Sequence, residues 1–134
     1  MLQATNACHQ DLYVAQFFLL AMHMSQIPCF LSKGEQVRTI PAHGKQVTRL
    51  EFIGKTDQFV TCSGDQQVRF WNADKGNNTR NFGGSGDFLY AVGVSPDGAL
   101  VAAGGEEGVV RLYNGTNAQL IKVLVPPGVE APKK

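Results

Sequence analysis

The segment FVTCSGDQQVRFWN, from Phe59 to Asn72, returns 42 residues later as VAAGGEEGVVRLYN, from Val101 to Asn114, and no gap is needed to align the two. Across the wider windows 37–76 and 79–118 only Arg38/Arg80, Gly44/Gly86, Val68/Val110, Arg69/Arg111 and Asn72/Asn114 are identical. The apolar pattern survives better, in Ile40/Phe82, Val47/Leu89, Leu50/Val92, Phe52/Val94, Phe59/Val101 and Phe70/Leu112. A repeat that keeps its pattern while its residues drift is a repeat of structure. Each copy is one supersecondary unit whose apolar face is buried only against its neighbours.

Within a copy the pattern alternates with period two, which is strand periodicity. In the first copy Val37 to Ile40, Val47 to Ile53, Phe59 to Ser63 and Gln67 to Trp71 read as strands, separated by turns at Gly54 to Asp57 and Gly64 to Gln66. In the second, Leu89 to Val94 leads into Ser95-Pro96-Asp97-Gly98, a turn whose Pro presets φ and whose Gly accepts a positive one. Leu100 to Gly104, Val109 to Tyr113 and Leu120 to Val125 follow. Four short strands per period of about 40 to 45 residues are the mark of a β-propeller. The expected fold is all-β: about two four-stranded antiparallel blades spanning residues 33–125, with a short helical or irregular segment at 1–32 and a flexible Pro-rich tail at 126–134.

The first copy resembles the WD-repeat family. It carries His43, Thr61, Asp65 and Trp71 at that family's spacing, with Asn72 where the family usually has Asp. The resemblance implies a structural tetrad: Asp65 accepts from the His43 ring, His43 reaches the Thr61 hydroxyl, and that hydroxyl accepts from the Trp71 indole N–H. Such a network pairs groups that would each cost about 1 to 3 kcal/mol if buried alone. A Ser-His-Asp type catalytic reading fits the residue types, but a hydroxyl in mid-strand with Trp71 beside it leaves no place for substrate. The equivalent positions in the second copy are Ser85, Ala103, Glu107 and Tyr113, so most of its network is expected to be missing.

Outside the repeats, residues 12–32 carry no charge. The cluster Leu12, Tyr13, Val14, Phe17, Phe18, Leu19, Leu20, Met22 and Met24 reads as a helix of about three turns. Gln16, His23, Ser25, Gln26 and Pro28 interrupt it, and no Lys or Arg precedes it to form an export signal. Packing against propeller surface is therefore expected ahead of a membrane anchor over 12–31, and a cytoplasmic location is favoured. Moving 42 residues upstream puts Cys29 in the place of Trp71 and His23 in that of Asp65. The period thus stops near Val37, whose strand is expected to belong to a blade with its other three strands outside the chain.

Twelve Lys and Arg against 11 Asp and Glu leave a net charge of +1, without the clustered cations that nucleic acid demands. Cys8, Cys29 and Cys62 form no Cys-x-x-Cys pair, and Thr5 stands where a haem-attachment motif ahead of Cys8-His9 needs its first cysteine. No cofactor and no metal is expected. FGGSGD at 82–87 lacks the Gly-Lys-Ser/Thr of a phosphate loop, and the acceptor patterns at Asn77 and Asn114 lie in a chain without an export signal.

Propellers close with four to eight blades, so two alone leave apolar sheet faces in water. Several hundred Å² of exposure forfeits on the order of 10 kcal/mol, comparable with a whole domain's stability. Either the remaining propeller blades lie elsewhere in a larger protein or the chain self-associates. The function expected is a non-catalytic scaffold that binds protein partners, since binding residues concentrate on loops held by a rigid frame. The resemblance puts partner contacts at Lys45, Gln46 and Gly64 in the first blade and at Asp87, Phe88 and Glu106 in the second. The alternatives are a propeller appended to a multidomain enzyme or electron-transfer protein, and a membrane-tethered propeller.

Overall fold

The computed structural model describes residues 6–8, 12–14, 26–31, 36–54, 56, 58–73 and 75–129. Twelve strands run through them: β1 Asn6–Cys8, β2 Leu12–Val14, β3 Gln26–Leu31, β4 Gln36–Pro41, β5 Val47–Phe52, β6 Gln58–Ser63, β7 Val68–Asn72, β8 Asn77–Phe82, β9 Leu89–Val94, β10 Leu100–Gly105, β11 Val110–Asn114 and β12 Leu120–Leu124. They form three four-stranded antiparallel sheets, β1–β4, β5–β8 and β9–β12, each strand pairing with the next in sequence. The sequence repeat is therefore offset from the sheet. Each copy begins with the strand that closes the preceding blade, β4 for the first copy and β8 for the second.

The expectations for the N-terminal region need correcting where it is described. Leu12–Val14 and Gln26–Leu31 are strand, and they supply, with Asn6–Cys8, the partners of β4 that the sequence reading placed outside the chain. The remainder of the expected helix lies outside the described residues. An uncharged apolar run does not separate a buried strand from a helix by itself. Pro28 decides against a helix, because its ring would clash with the preceding turn. Here it pairs with Thr39, beside a register shift between Cys29 and Phe30. The upstream comparison rested on the Asp and Trp positions, whereas a blade needs only extended, apolar strands.

No helix among the described residues is long and apolar enough to cross a membrane. At the other end, the Val129 N–H donates to Pro126 O at 3.2 Å in a turn, and the rest of the Pro-rich tail lies outside the described residues.

The middle sheet is buried on both faces. On β6, Phe59 joins a cluster with Ile40, Val47, Leu50, Phe52 and Trp71, toward the first sheet. Val60 and Cys62, which point the opposite way, join Val68, Phe70, Phe82, Leu89, Val92, Val101 and Tyr113 toward the third sheet. Phe82 is central to that second cluster, 4.8 Å from Phe70 and 5.5 Å from Tyr113 between ring centroids. Polar bonds clamp the same interface at two depths. The Thr48 hydroxyl donates to Leu89 O at 2.7 Å on the inner strands, and Arg80 Nη1 donates to Gly115 O at 2.7 Å on the outer ones.

No described residue covers the far face of the third sheet in this way. Leu100, Val110 and Leu124 are each about 40% exposed there, and Ala91, Gly93, Ala102 and Gly104 make its centre shallow and smooth.

Two features at one end of β9–β12 shape the loops. Gly104 pairs with Ala91 and Gly105 with Leu89, so Tyr90 is the extra residue of a β-bulge. Gly105 has to be glycine, since a Cβ there would stand 1.9 Å from Phe88 O. The first copy's blade, β5–β8, repeats the device: Val47 pairs with Ser63 and Arg49 with Cys62, which leaves Thr48 as the extra residue.

Candidate functional site

The loop between β4 and β5, the middle of β6, the β6–β7 turn and the end of β7 bring His43, Thr61, Asp65 and Trp71 together. His43 Nδ1 lies 3.1 and 3.0 Å from the two Asp65 oxygens, so Nδ1–H donates to the carboxylate. That leaves Nε2 as an acceptor, and the Thr61 hydroxyl donates to it at 2.7 Å. Thr61 Oγ1 accepts in turn from Trp71 Nε1–H at 2.9 Å. Every donor in the chain points one way, from indole to hydroxyl to imidazole to carboxylate. Thr61 is completely buried, and its oxygen is occupied on both sides.

Asp65 does more than receive the imidazole. It accepts the backbone N–H of Gly44 at 3.1 Å and of Gln67 at 3.0 Å, which ties the loop before β5 to the turn before β7. Arg69 stands 3.9 Å from the same carboxylate and donates to Ala42 O at 2.7 Å. Burial lowers the His43 pKa from 6.5 against the opposing pull of Asp65. Burial also pushes the Asp65 carboxyl up, but His43 and the Gly44 and Gln67 N–H groups together hold it below its ordinary 3.8. The ring is neutral at pH 7, so there the N–H donors and not an imidazolium steady the charge of Asp65.

In the second blade the structure shows a rebuilt network. Glu107 occupies the place of Asp65 and accepts the Gly86 N–H at 2.6 Å, just as Asp65 accepts that of Gly44. Its other oxygen forms an ion pair with Arg111, which is 5% exposed. A carboxylate one methylene longer thus reaches the arginine directly, with no histidine between. The contact takes Glu107 out of solvent, where a charged residue in a turn ordinarily lies. Ser85, in place of His43, bonds only within its own loop among the described residues, to Asp87 O at 3.0 Å. Tyr113, in place of Trp71, is buried, and its hydroxyl has no hydrogen bond among the described residues.

These anchors set out a rim at one end of the two blades. Lys45, Asp87 and Glu106 are exposed, Gln46 and Phe88 are half-buried, and Gly64 is buried. Backbone bonds link them, with Gly64 N–H donating to Gln46 O at 3.3 Å and Glu106 N–H to Phe88 O at 2.8 Å. Phe88 crosses between blades and lies on Gly64, where a Cβ would come within 2.2 Å of the ring. Tyr90, which sequence reasoning passed over, stands beside it with ring centroids 5.1 Å apart. It is 54% exposed and donates its hydroxyl to Glu106 at 2.5 Å. The sequence held a signal for it: Leu89 and Val92 are both core positions but lie three apart, which period two forbids without a bulge.

No group of three or more His, Cys, Asp or Glu placed to hold a metal occurs among the described residues. Cys62 is a buried free thiol, whose pKa burial pushes up to about 11.

The repeat family described as WD domain, G-beta repeat matches residues 34–72 and 76–114, more than half of the chain. The chain belongs to the WD40 repeat family. The Cross-pathway control WD-repeat protein 2 of Flammulina velutipes is 36% identical over 55 residues, which are 41% of this chain and 18% of that protein. The Nuclear distribution protein PAC1 of Coccidioides posadasii is 26% identical over 93 residues, 63% of this chain and 20% of that one. The small ribosomal subunit protein RACK1y of Oryza sativa subsp. japonica is 34% identical over 62 residues, 46% of this chain and 18% of that one. The chain thus spans about a fifth of the length of these curated relatives. Among solved structures, the WD40 β-propeller domain of Doa1 superposes with a TM-score of 0.77 at 19% identity, covering 95% of this chain and 41% of that one.

Because Arg111 is buried, Glu107→Gln is expected to destabilise the chain by about 3 kcal/mol in urea titrations, the scale of leaving a buried charge without its partner. Trp71→Ala is expected to cost about 2 to 4 kcal/mol, and Tyr113→Phe less than about 0.5 kcal/mol. An inert Glu107→Gln would mean that the carboxylate does not hold Arg111. For pH the sign follows from both lowered values. The unfolded chain binds protons that folded His43 refuses below pH 6.5 and folded Asp65 refuses below 3.8. Stability should fall on acidification, first as pH drops from 6.5 and again below 3.8. His43→Gln should remove the first step in urea midpoints measured against pH.

Proposed function

We propose that this chain acts as a non-catalytic WD-repeat scaffold, part of a larger propeller, and takes protein partners on the rim formed by Lys45, Gln46 and Gly64 with Asp87, Phe88 and Glu106. The observation that carries this reading is the pair of carboxylate anchors. Asp65 and Glu107 each fix the loop before the first strand of a blade to the turn before its third, so both rim loops are preorganised. Rim side chains held this way reach a partner with little ordering left to do. Against a catalytic role stands the seclusion of Thr61, whose hydroxyl is enclosed between His43 and Trp71. The relatives' names belong to such different settings as nuclear distribution and the small ribosomal subunit, which favours a common frame over a common reaction.

The exposed face of β9–β12 supports the larger propeller. Leu100, Val110 and Leu124 lie on the side that in β5–β8 is covered by the next blade, and further blades would cover them in the same way.

A photo-cross-linking residue at Lys45 or at Asp87 is expected to capture protein partners of the intact parent protein. The same residue at Asp97, in the turn at the opposite end of the blades, is expected not to do so. Equal capture from both ends would sink the rim assignment. Light scattering on the purified chain tests the ring. Association or loss of cooperative unfolding is expected, and a stable monomer that unfolds in one transition would remove the need for further blades.

A further inference from the structure

We propose that the rim of the second blade binds an arginine side chain of the partner, held on Tyr90 between the carboxylates of Glu106 and Asp87; this rests on the rim being the partner surface. Tyr90 is 54% exposed, the second most exposed large apolar residue among the described ones, and its position is built. The bulge opposite Gly104 and Gly105 ejects it from the strand alternation. Phe88 supports one side of the ring at 5.1 Å, and the hydroxyl is fixed to Glu106 at 2.5 Å. Its counterpart Thr48 donates its hydroxyl to Leu89 O instead. An aromatic face prepared this way attracts a cation within about 6 Å of its centre.

The charge of the surroundings selects the cation. Asp87 and Glu106 are both exposed, and neither has an ion pair with a described residue. The Asp87 carboxylate accepts the Phe88 N–H at 2.7 Å, Phe88 packs on Tyr90, and Tyr90 bonds Glu106, so the two carboxylates adjoin one aromatic pair. Glu107, next in sequence, is already neutralised by Arg111 and adds nothing. Two uncompensated carboxylates beside an open aromatic face suit guanidinium better than ammonium, since it both stacks and offers several N–H groups in one plane.

The test titrates the ¹⁵N-labelled full chain with the tripeptide acetyl-Gly-Arg-Gly-amide and, in parallel, with acetyl-Gly-Gln-Gly-amide. The arginine peptide is expected to shift the amides of Asp87, Phe88, Tyr90 and Glu106 with half-saturation in the millimolar range, and the glutamine peptide is not. Glu106→Gln should weaken the response about three-fold, as an exposed ion pair does. Tyr90→Leu should weaken it by a similar factor, about three-fold. Should Tyr90→Leu disturb the fold, Glu106→Gln and Asp87→Asn leave the core intact and carry the test. Equal shifts with both peptides, or an arginine response unchanged in Glu106→Gln and Asp87→Asn, would overturn the proposal. If photo-cross-linking from Lys45 and Asp87 persists while the arginine response is absent, arginine recognition fails and the rim reading stands. If both are absent, both fail.

Discussion

The interaction on which the rest of this structure depends is a carboxylate in the turn between the second and third strands of a blade, hydrogen-bonded to a glycine N–H in the loop before the first. Asp65 with Gly44 and Glu107 with Gly86 are two versions of it. The bond joins segments 21 residues apart at the end of the sheet where loops would otherwise be free to move. It also places negative charge where several N–H groups converge, and charge-assisted bonds of this kind are roughly twice as strong as neutral ones. The inner strand is thereby fixed relative to the two central ones, and the loop that crosses to the next blade starts from a defined place.

The two blades stabilise that carboxylate by different chemistry. In the first, a neutral imidazole relays the bond inward to Thr61 and Trp71, so the carboxylate organises a polar line through an apolar layer. In the second, the line is missing, and Arg111 pairs with Glu107 more closely than Arg69 does with Asp65. The exchange is coordinated across positions. Removing His43 alone would leave the Thr61 hydroxyl without its acceptor, whereas Ala103 in the second copy has no hydroxyl that requires an imidazole.

Much of this was legible in the sequence, and the failures have physical causes. The strands β5–β7 and β9–β11 were readable because the apolar pattern of one copy returns in the other at a fixed spacing, and the tetrad because its residue types and spacing match the family. β8 is Asn77–Phe82, five polar residues closed by Phe82, and an outermost strand that buries one side chain in six leaves little alternation to detect. β1–β3 lack the tetrad residues on which the upstream comparison relied. The Glu107–Arg111 pair was missed because a charged residue in a turn is ordinarily solvated. Only the location of Arg111 inside the sheet reveals that this one is not. Tyr90 was passed over because strand alternation hides a bulge until the pairing is known.

The difference between the faces of the last sheet follows from the same alternation. Toward the middle sheet β10 presents Val101 and Ala103, which meet Phe82 and Tyr113 in a filled core. Toward the outside it presents Leu100, Ala102 and Gly104, and β9 adds Ala91 and Gly93. Small residues on a solvated face gain nothing from solvent, which would be better met by Lys, Thr or Glu at those positions. They are suited to a surface that another sheet can approach closely, since the spacing between stacked sheets, about 10 Å, is set by the side chains between them. Large residues at the margins of that face, Leu100, Val110 and Leu124, surround a smooth centre much as a socket surrounds its insert. The two sides of one strand thus record two different neighbours, one present in the chain and one expected beside it.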